Sequence, residues 1–489
     1  MKNPSTASSM VPAAGPLAGL LAAAIGMLML AAPAAAQQTT ATTVATGSLP
    51  KLTIDEAVSS ALSKDPGVIG ADLDWLSTSA KEDSVKWKRL PSLSASGGYT
   101  RLSELPASDT AISANVPPFG SFSLALPSLL NVFSFDLNLS YPIYDGNRVK
   151  ESIAIAGLQT QAKDVSRETV KRSLAFDVRR AYWEAVRATY NRSTLEQNLE
   201  LMKKDVALVG QQLGQGVATR ADQLAAQMRL EQASEDLGDA QAAQRRAFLT
   251  LASLMGRDLA SLKISTAAPD AAPPFELSTK PEESTLPDPS AVDEADLVSG
   301  ALARRPETRA AELSRKLAEH SIELSRAALY PTVAVTGSYT LADPNQRVPF
   351  QTDPTLFTGT WAVGLTLSYD VGGVPAALDD IKAQTLAASK AKADEDRQRS
   401  AVEMDVESCI VDLERALRDL DSTRAMVAQA EENLRVMQGR VAAGTAKDID
   451  LSSSEFDLLR MNFAVTNRRI DAVIAQANLV RAAASEEFK

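Results

Sequence analysis

Very few residues of this chain could carry covalent chemistry. His320 is its one histidine and Cys409 its one cysteine. A single imidazole and a single thiol exclude His-based nucleophile relays and the usual zinc clusters. His320 lies among charged residues of a helical stretch, where a solvated position is expected. Cys409 lies on an apolar seam, where a thiol is a small packing group, and it has no partner for an internal disulfide. Asp and Glu number 61, but they fall at helical i,i+4 spacings that belong to solvated faces. No Gly-rich loop follows a strand, so no phosphate cradle is expected. The chain therefore reads as a non-enzyme without cofactors. Its 50 Lys and Arg leave a net charge of −11, which does not suit nucleic acid. One acidic placement does recur. Gly216 is followed six residues later by Asp222, and Gly444 six residues later by Asp450.

Long helices must position those two aspartates. Leu174, Val178, Ala181, Ala185, Ala188, Leu195, Leu199, Met202, Val206, Val209 and Leu213 step alternately by 4 and 3, with one polar interruption at Arg192. That 3.5-residue period is a heptad seam, which needs neighbouring helices. No Pro lies between Pro142 and Pro269, so one helix of roughly 60 residues, about 90 Å long, is predicted. It ends at Gly214-Gln215-Gly216-Val217-Ala218-Thr219, where glycine permits a turn. A shift of 228 residues repeats the seam from Val402 through Cys409 to Val441, with Gly444 and Asp450 in register. The chain is a duplication.

Upstream of each seam the period changes to two. Phe133, Phe135, Leu137, Leu139 and Tyr141 alternate with Ser134, Asp136, Asn138 and Ser140. Four strands are predicted, over 91–102, 133–144, 331–341 and 360–371. The stretch between the first two, with Pro106, Pro117, Pro118 and Pro127, reads as a long loop. Each strand has the length to cross a bilayer, with one apolar aromatic face and one polar face. Four strands cannot close a barrel, and an open edge in lipid leaves backbone groups unpaired. Several copies of the chain must share one barrel. Two copies would give a filled interior and three could leave a water-filled bore.

The ends and joints complete the plan. Residues 1–36 read as a secretory signal, with Lys2, an apolar run from Leu17 to Ala32, and Ala34-Ala35-Ala36 before the cleavage point. Residues 37–50 read as a flexible leader and 51–259 as the first repeat, with its tip at 214–219. Residues 260–294 form a Pro-rich equatorial linker. Residues 295–489 are the second repeat, with its tip at 442–447. No mature segment is long and apolar enough for a transmembrane helix. The fold class is mainly α with a β-barrel portion, a duplicated unit of long antiparallel coiled helices plus four membrane strands.

In these features the chain resembles the TolC-like outer-membrane efflux proteins over about residues 50–485. The resemblance rests on the duplication, on Pro91 to Tyr99 and Pro331 to Tyr339, on Leu139-Ser140-Tyr141-Pro142-Ile143-Tyr144-Asp145-Gly146, and on the two Gly-plus-six Asp turns. It implies a homotrimer with a 12-stranded barrel in outer-membrane lipid and a helical tunnel through the periplasm of a Gram-negative bacterium. A periplasmic adaptor and an inner-membrane pump are the implied partners, in efflux or type I secretion. The resemblance makes Gly216, Val217, Ala218, Thr219, Gly444, Thr445 and Ala446 adaptor-docking candidates. It makes Asp450, Asp222 and Ser453 candidates for the entrance, where three copies of Asp450 would form a ring favouring cations. The plainer reading of either Asp is a favourable contact with a helix N-terminus. Family members carry an aromatic residue, an Arg and a second acid where this chain has Val441, Ala446 and Ser453. Arg220, Lys447 and Asp448 are therefore expected to supply substitute gate salt bridges. A structural or adhesive coiled-coil surface protein is the alternative, but it leaves the paired strands unexplained.

Overall fold

The computed structural model describes residues 51–103, 111–115, 117–125, 130–258, 273–281, 286, 293–343, 345, 357–446 and 448–484. The expected signal (1–36), the leader (37–50), much of the 260–294 linker, and Lys447 lie outside the described residues.

Two helical steps open each repeat. Strand β1 (Lys51–Leu52) leads into α1 (Ile54–Lys64), and α2 (Pro66–Lys86) follows at once. Thr53 and Glu56 close a capping box on α1, each side chain accepting from the other's backbone N–H. Asp65 caps α2 and Pro66 takes its first position, so the same two residues end one helix and start the next. Strands β2 (Ser92–Arg101), β3 (Ala111–Asn115), β4 (Ser121–Ala125) and β5 (Asn131–Tyr144) come next. The first long helix, α3 (Arg148–Gly214), has 67 residues, and its return, α4 (Arg220–Leu254), has 35. After β6 (Glu276–Leu277) the plan repeats with α5 (Glu294–Arg304), α6 (Pro306–Arg326), β7 (Thr332–Asp343), β8 (Thr358–Ser368), α7 (Val374–Ala442) and α8 (Asp448–Ala483). At 1.5 Å per residue, α3 and α7 are each about 100 Å long.

One expectation needs correction. The Pro-rich stretch between the first two long strands is not wholly loop, because β3 and β4 pair antiparallel from Ala111–Ala125 to Asn115–Ser121. Ser121-Phe122-Ser123-Leu124 alternates as a strand should, and Pro117 and Pro118 sit in the intervening turn rather than in a strand.

The seam residues Leu174, Val178, Ala181 and Ala185 are buried where α3 meets α1, the end of α4, and α8. Tyr182 and Trp183 lie beside them with Phe248, Met255 and Phe275. The Tyr182 hydroxyl donates to the Leu52 carbonyl at 2.9 Å and accepts from the Thr279 N–H at 3.1 Å. It thereby clamps the parallel pair β1–β6 across the waist of the bundle. The polar interruption Arg192 is accommodated by Glu196 at 2.7 Å and Gln244 at 3.1 Å. In the second repeat, Val402, Val406, Cys409 and Leu413 pack with Ala301, Leu479 and Ala482. Burial pushes the Cys409 thiol above its ordinary pKa, in keeping with a packing role. Arg305 joins the helices here, donating to Asp405 at 2.7 Å and to Glu307 at 3.2 Å. Burial opposes the charge on Glu307, but the Arg305 hydrogen bonds outweigh it and hold the carboxyl below its usual range. His320 is half exposed, and its Nδ1 lies 2.6 Å from Glu151 at the start of α3.

Candidate functional site

The sheet and the helix tips stand at opposite ends of α3 and α7, and each follows from local sequence. The sheet is antiparallel with strand order β2-β5-β7-β8. Its register brings Leu139 beside Leu93 and Gly337, and Leu137 beside Ala95 and Tyr339. Tyr339 is in turn opposite Trp361, and Val335 opposite Leu365. Because the side-chain period is two, the apolar residues of all four strands share one face. Trp361, Val363, Leu365 and Leu367 on β8 are each at least two-thirds exposed, at 74, 72, 67 and 68%. The opposite face presents Ser94, Ser96, Asn138, Thr336 and Ser338. Asp136 lies there too and accepts from the Thr340 hydroxyl at 2.7 Å. Tyr99, Phe133 and Phe357 cluster at one end of the apolar face. Tyr141 lies eight residues from Phe133 on the same face of β5, about 26 Å along the strand. With the tilt of membrane strands that separation is a height of roughly 20 Å, near the spacing of the aromatic girdles of membrane barrels. Strands β2 and β8 each have one edge without a partner strand among the described residues.

The tips are built alike. Gly216, at φ 77°, and Gly444, at φ 70°, take the left-handed conformation that ends a helix. The Gly216 N–H reaches the Leu213 carbonyl and the Val217 N–H the Gln212 carbonyl; the Gly444 and Thr445 N–H groups reach Val441 and Arg440 in the same pattern. Both turns leave open space where a glycine Cβ would be. Val217 is 76% exposed, Thr219 and Thr445 are exposed, and Ala218 and Ala446 are half-buried.

The sequence-chosen acids differ in setting. Asp222 is the third residue of α4, and its carboxylate accepts from the Thr219 N–H at 2.8 Å and hydroxyl at 2.6 Å. The Thr219 hydroxyl accepts from the Asp222 N–H, which completes a capping box. Asp222 also lines a cleft of 370 Å³ with Val217, Ala218, Val441 and Ala446, so the structure brings the two tips to one cavity. Arg220 donates to Gln223. Asp448 is the first residue of α8. Asp450, in the first turn of α8, is exposed, as is Ser453. Among the described residues no cluster of three or more His, Cys, Asp or Glu could hold a metal, and no helix is long and apolar enough to cross a membrane.

A family model for outer membrane efflux proteins matches residues 57–257 and 297–485, one segment in each repeat. The chain belongs to the outer membrane efflux protein family. Solved structures agree on the fold. A membrane protein from Pseudomonas aeruginosa is 20% identical with a TM-score of 0.67, covering 88% of this chain and 93% of its own. The CmeC outer membrane channel of Campylobacter jejuni is 15% identical with a TM-score of 0.70, covering 88% and 85%. The open state of the MtrE outer membrane channel of Neisseria gonorrhoeae is 18% identical with a TM-score of 0.68, covering 90% and 93%. No curated protein matches by sequence. This efflux-family chain is thus a channel protein of the Gram-negative outer membrane that spans into the periplasm, and its family is one of ducts rather than enzymes. Its mainly helical fold with a minority of strands is the class read from the sequence.

Sequence reading missed one polar feature of this outer-membrane protein. Asn198 and Asp205 are 6% and 3% exposed, and both face a cleft between the two hairpins. With Gln212 they are spaced by seven, one position before the seam residues Leu199, Val206 and Leu213. Reading every heptad position, rather than the apolar ones alone, would have found them.

Proposed function

We propose that three copies of this chain form a passive exit duct of a tripartite efflux or type I secretion system. The four-stranded sheet carries this reading, with its exposed apolar face, polar opposite face and two open edges. Lipid leaves no water to satisfy edge N–H and C=O groups, so copies must pair β2 with β8 of a neighbour. Three sheets would close a 12-stranded barrel, with Ser, Thr and Asn around a wet bore. The long helices below would continue the wall into the periplasm. Energy would come from an inner-membrane pump reached through a periplasmic adaptor.

In this duct the tips Gly216–Thr219 and Gly444–Ala446 are the adaptor-docking points, since small residues leave grooves for another helical hairpin. Asp450 would form the cation-favouring ring at the entrance. Asp222 has a smaller share, because its carboxylate already closes a capping box. Arg220, Lys447 and Asp448 would hold neighbouring tips together. Arg220 would have to exchange Gln223 for an acidic partner. Side and end views of detergent-purified protein by electron microscopy test the assembly. The expected particle is three-fold, with a short barrel and a stalk near 100 Å. A particle without a central bore would overturn the duct. Planar-bilayer recording tests the entrance: Asp450→Ala is expected to reduce cation preference, and unchanged selectivity would remove Asp450 from it.

A further inference from the structure

The polar stripe on α3 faces a cleft of 250 Å³ whose other walls are α4 and α8. Asp205 uses one carboxylate oxygen, Oδ2, to accept from Arg229 at 3.1 Å. Its Oδ1 and the Oδ1 of Asn198 are buried, and no described residue donates to either. Buried acceptors without donors are rare in folded proteins and mark places where something else supplies the proton. Asp205 and Arg229 also line the neighbouring 370 Å³ cleft that contains Asp222. Along the two clefts Asp205, Asp222 and Asp236 face one guanidinium, so negative charge is in excess. Met202 and Phe456 supply apolar wall between the polar groups.

These features define a ligand. It must donate hydrogen bonds, carry positive charge, and offer apolar surface between its charges. No described cluster of three ligating side chains favours a metal ion instead. Asn198 and Asp205 are seven residues apart on one helix, so their acceptors are separated by about 10 Å. An aliphatic chain with an ammonium at each end spans that distance, and each ammonium brings three donors. We propose that the cleft between the two hairpins binds a linear aliphatic polyamine, with its ammonium groups at the Asn198 and Asp205 ends of the cleft and methylenes against Met202 and Phe456. This site is walled by a single chain, does not include Asp450 in its lining although Ser452 and Ser453 of the same helix are part of it, and requires neither a partner nor the assembled duct.

Isothermal titration of spermidine into the detergent-purified full chain tests it, with Asp450→Asn as the background so that the entrance acid contributes nothing. One saturable site per chain is expected. Asp205→Asn removes the charge and is expected to weaken binding at least tenfold. Ser453→Arg plants a guanidinium at the exposed edge of the same cleft without disturbing the core, and should weaken binding as much. If Asp205→Asn fails to fold, Ser453→Arg carries the test alone. Absence of saturable heat, which would leave only water in the cleft, overturns the proposal. So does an affinity unchanged by Ser453→Arg.

Discussion

The two repeats have nearly the same seam and bear different loads at the waist. Tyr182 is fully buried in the first repeat, while its counterpart Ile410 is only half-buried. Trp183 is 4% exposed, and the matching Val411 is 59% exposed. The first repeat thus builds a thick core around β1, β6 and the two aromatic rings. The second holds a thinner apolar cluster beside the Arg305 ion-pair junction. At the tips the repeats converge again, with one hydrogen-bond pattern around Gly216 and Gly444. Duplication preserved the supercoil period and the turns, which the hairpin needs in both copies. It left the waist free to diverge, because each repeat meets different neighbours there.

This contrast sets the order of expected effects. Tyr182→Ala empties a fully buried site and should cost about 3–5 kcal/mol, against less than about 2 kcal/mol for Ile410→Ala. Thermal melts in detergent would show it, and equal losses would break the contrast. Arg305→Ala should cost about 1.5–3 kcal/mol through lost charged hydrogen bonds to Glu307 and Asp405. That junction is also acid-sensitive. Glu307 titrates lower folded than unfolded, so its contribution is complete above the ordinary value of 4.5 and disappears as pH falls through the depressed folded value. A melting temperature that falls with acid less steeply in Arg305→Ala than in the parent would confirm the sign. Thr219→Ala removes one side of the α4 capping box and should cost about 1 kcal/mol, seen as faster amide exchange at the first tip. Gly216→Ala and Gly444→Ala should each cost about 1 kcal/mol from the left-handed backbone alone, since both turns have room for a methyl group. Unequal losses would mean that the tips are less alike than their hydrogen bonds.

Local order was readable wherever it had a period. The seam from Leu174 to Leu213 specified a helix and the face it buries. The alternation from Phe133 to Tyr141 specified a strand and its two faces. Gly216 and Gly444 marked turns because few other residues tolerate φ near 70°. The hairpin β3–β4 was obscured by Pro117 and Pro118, which punctuate the chain without forbidding strands on either side. The buried pair Asn198 and Asp205 was obscured because attention to apolar seam positions treats every other position as solvated.

Helix length, period and strand polarity were therefore settled by the chain itself, since each depends on residues close in sequence, and the duplication by a pattern that recurs 228 residues on. What the tertiary structure alone decided was which polar groups meet. Arg305 bridges to Asp405, Tyr182 ties Leu52 to Thr279, and Asp205 is enclosed between two hairpins. Hydrogen bonds and ion pairs depend on approach within about 3 Å, and no spacing along one helix predicts where a second helix will come that near.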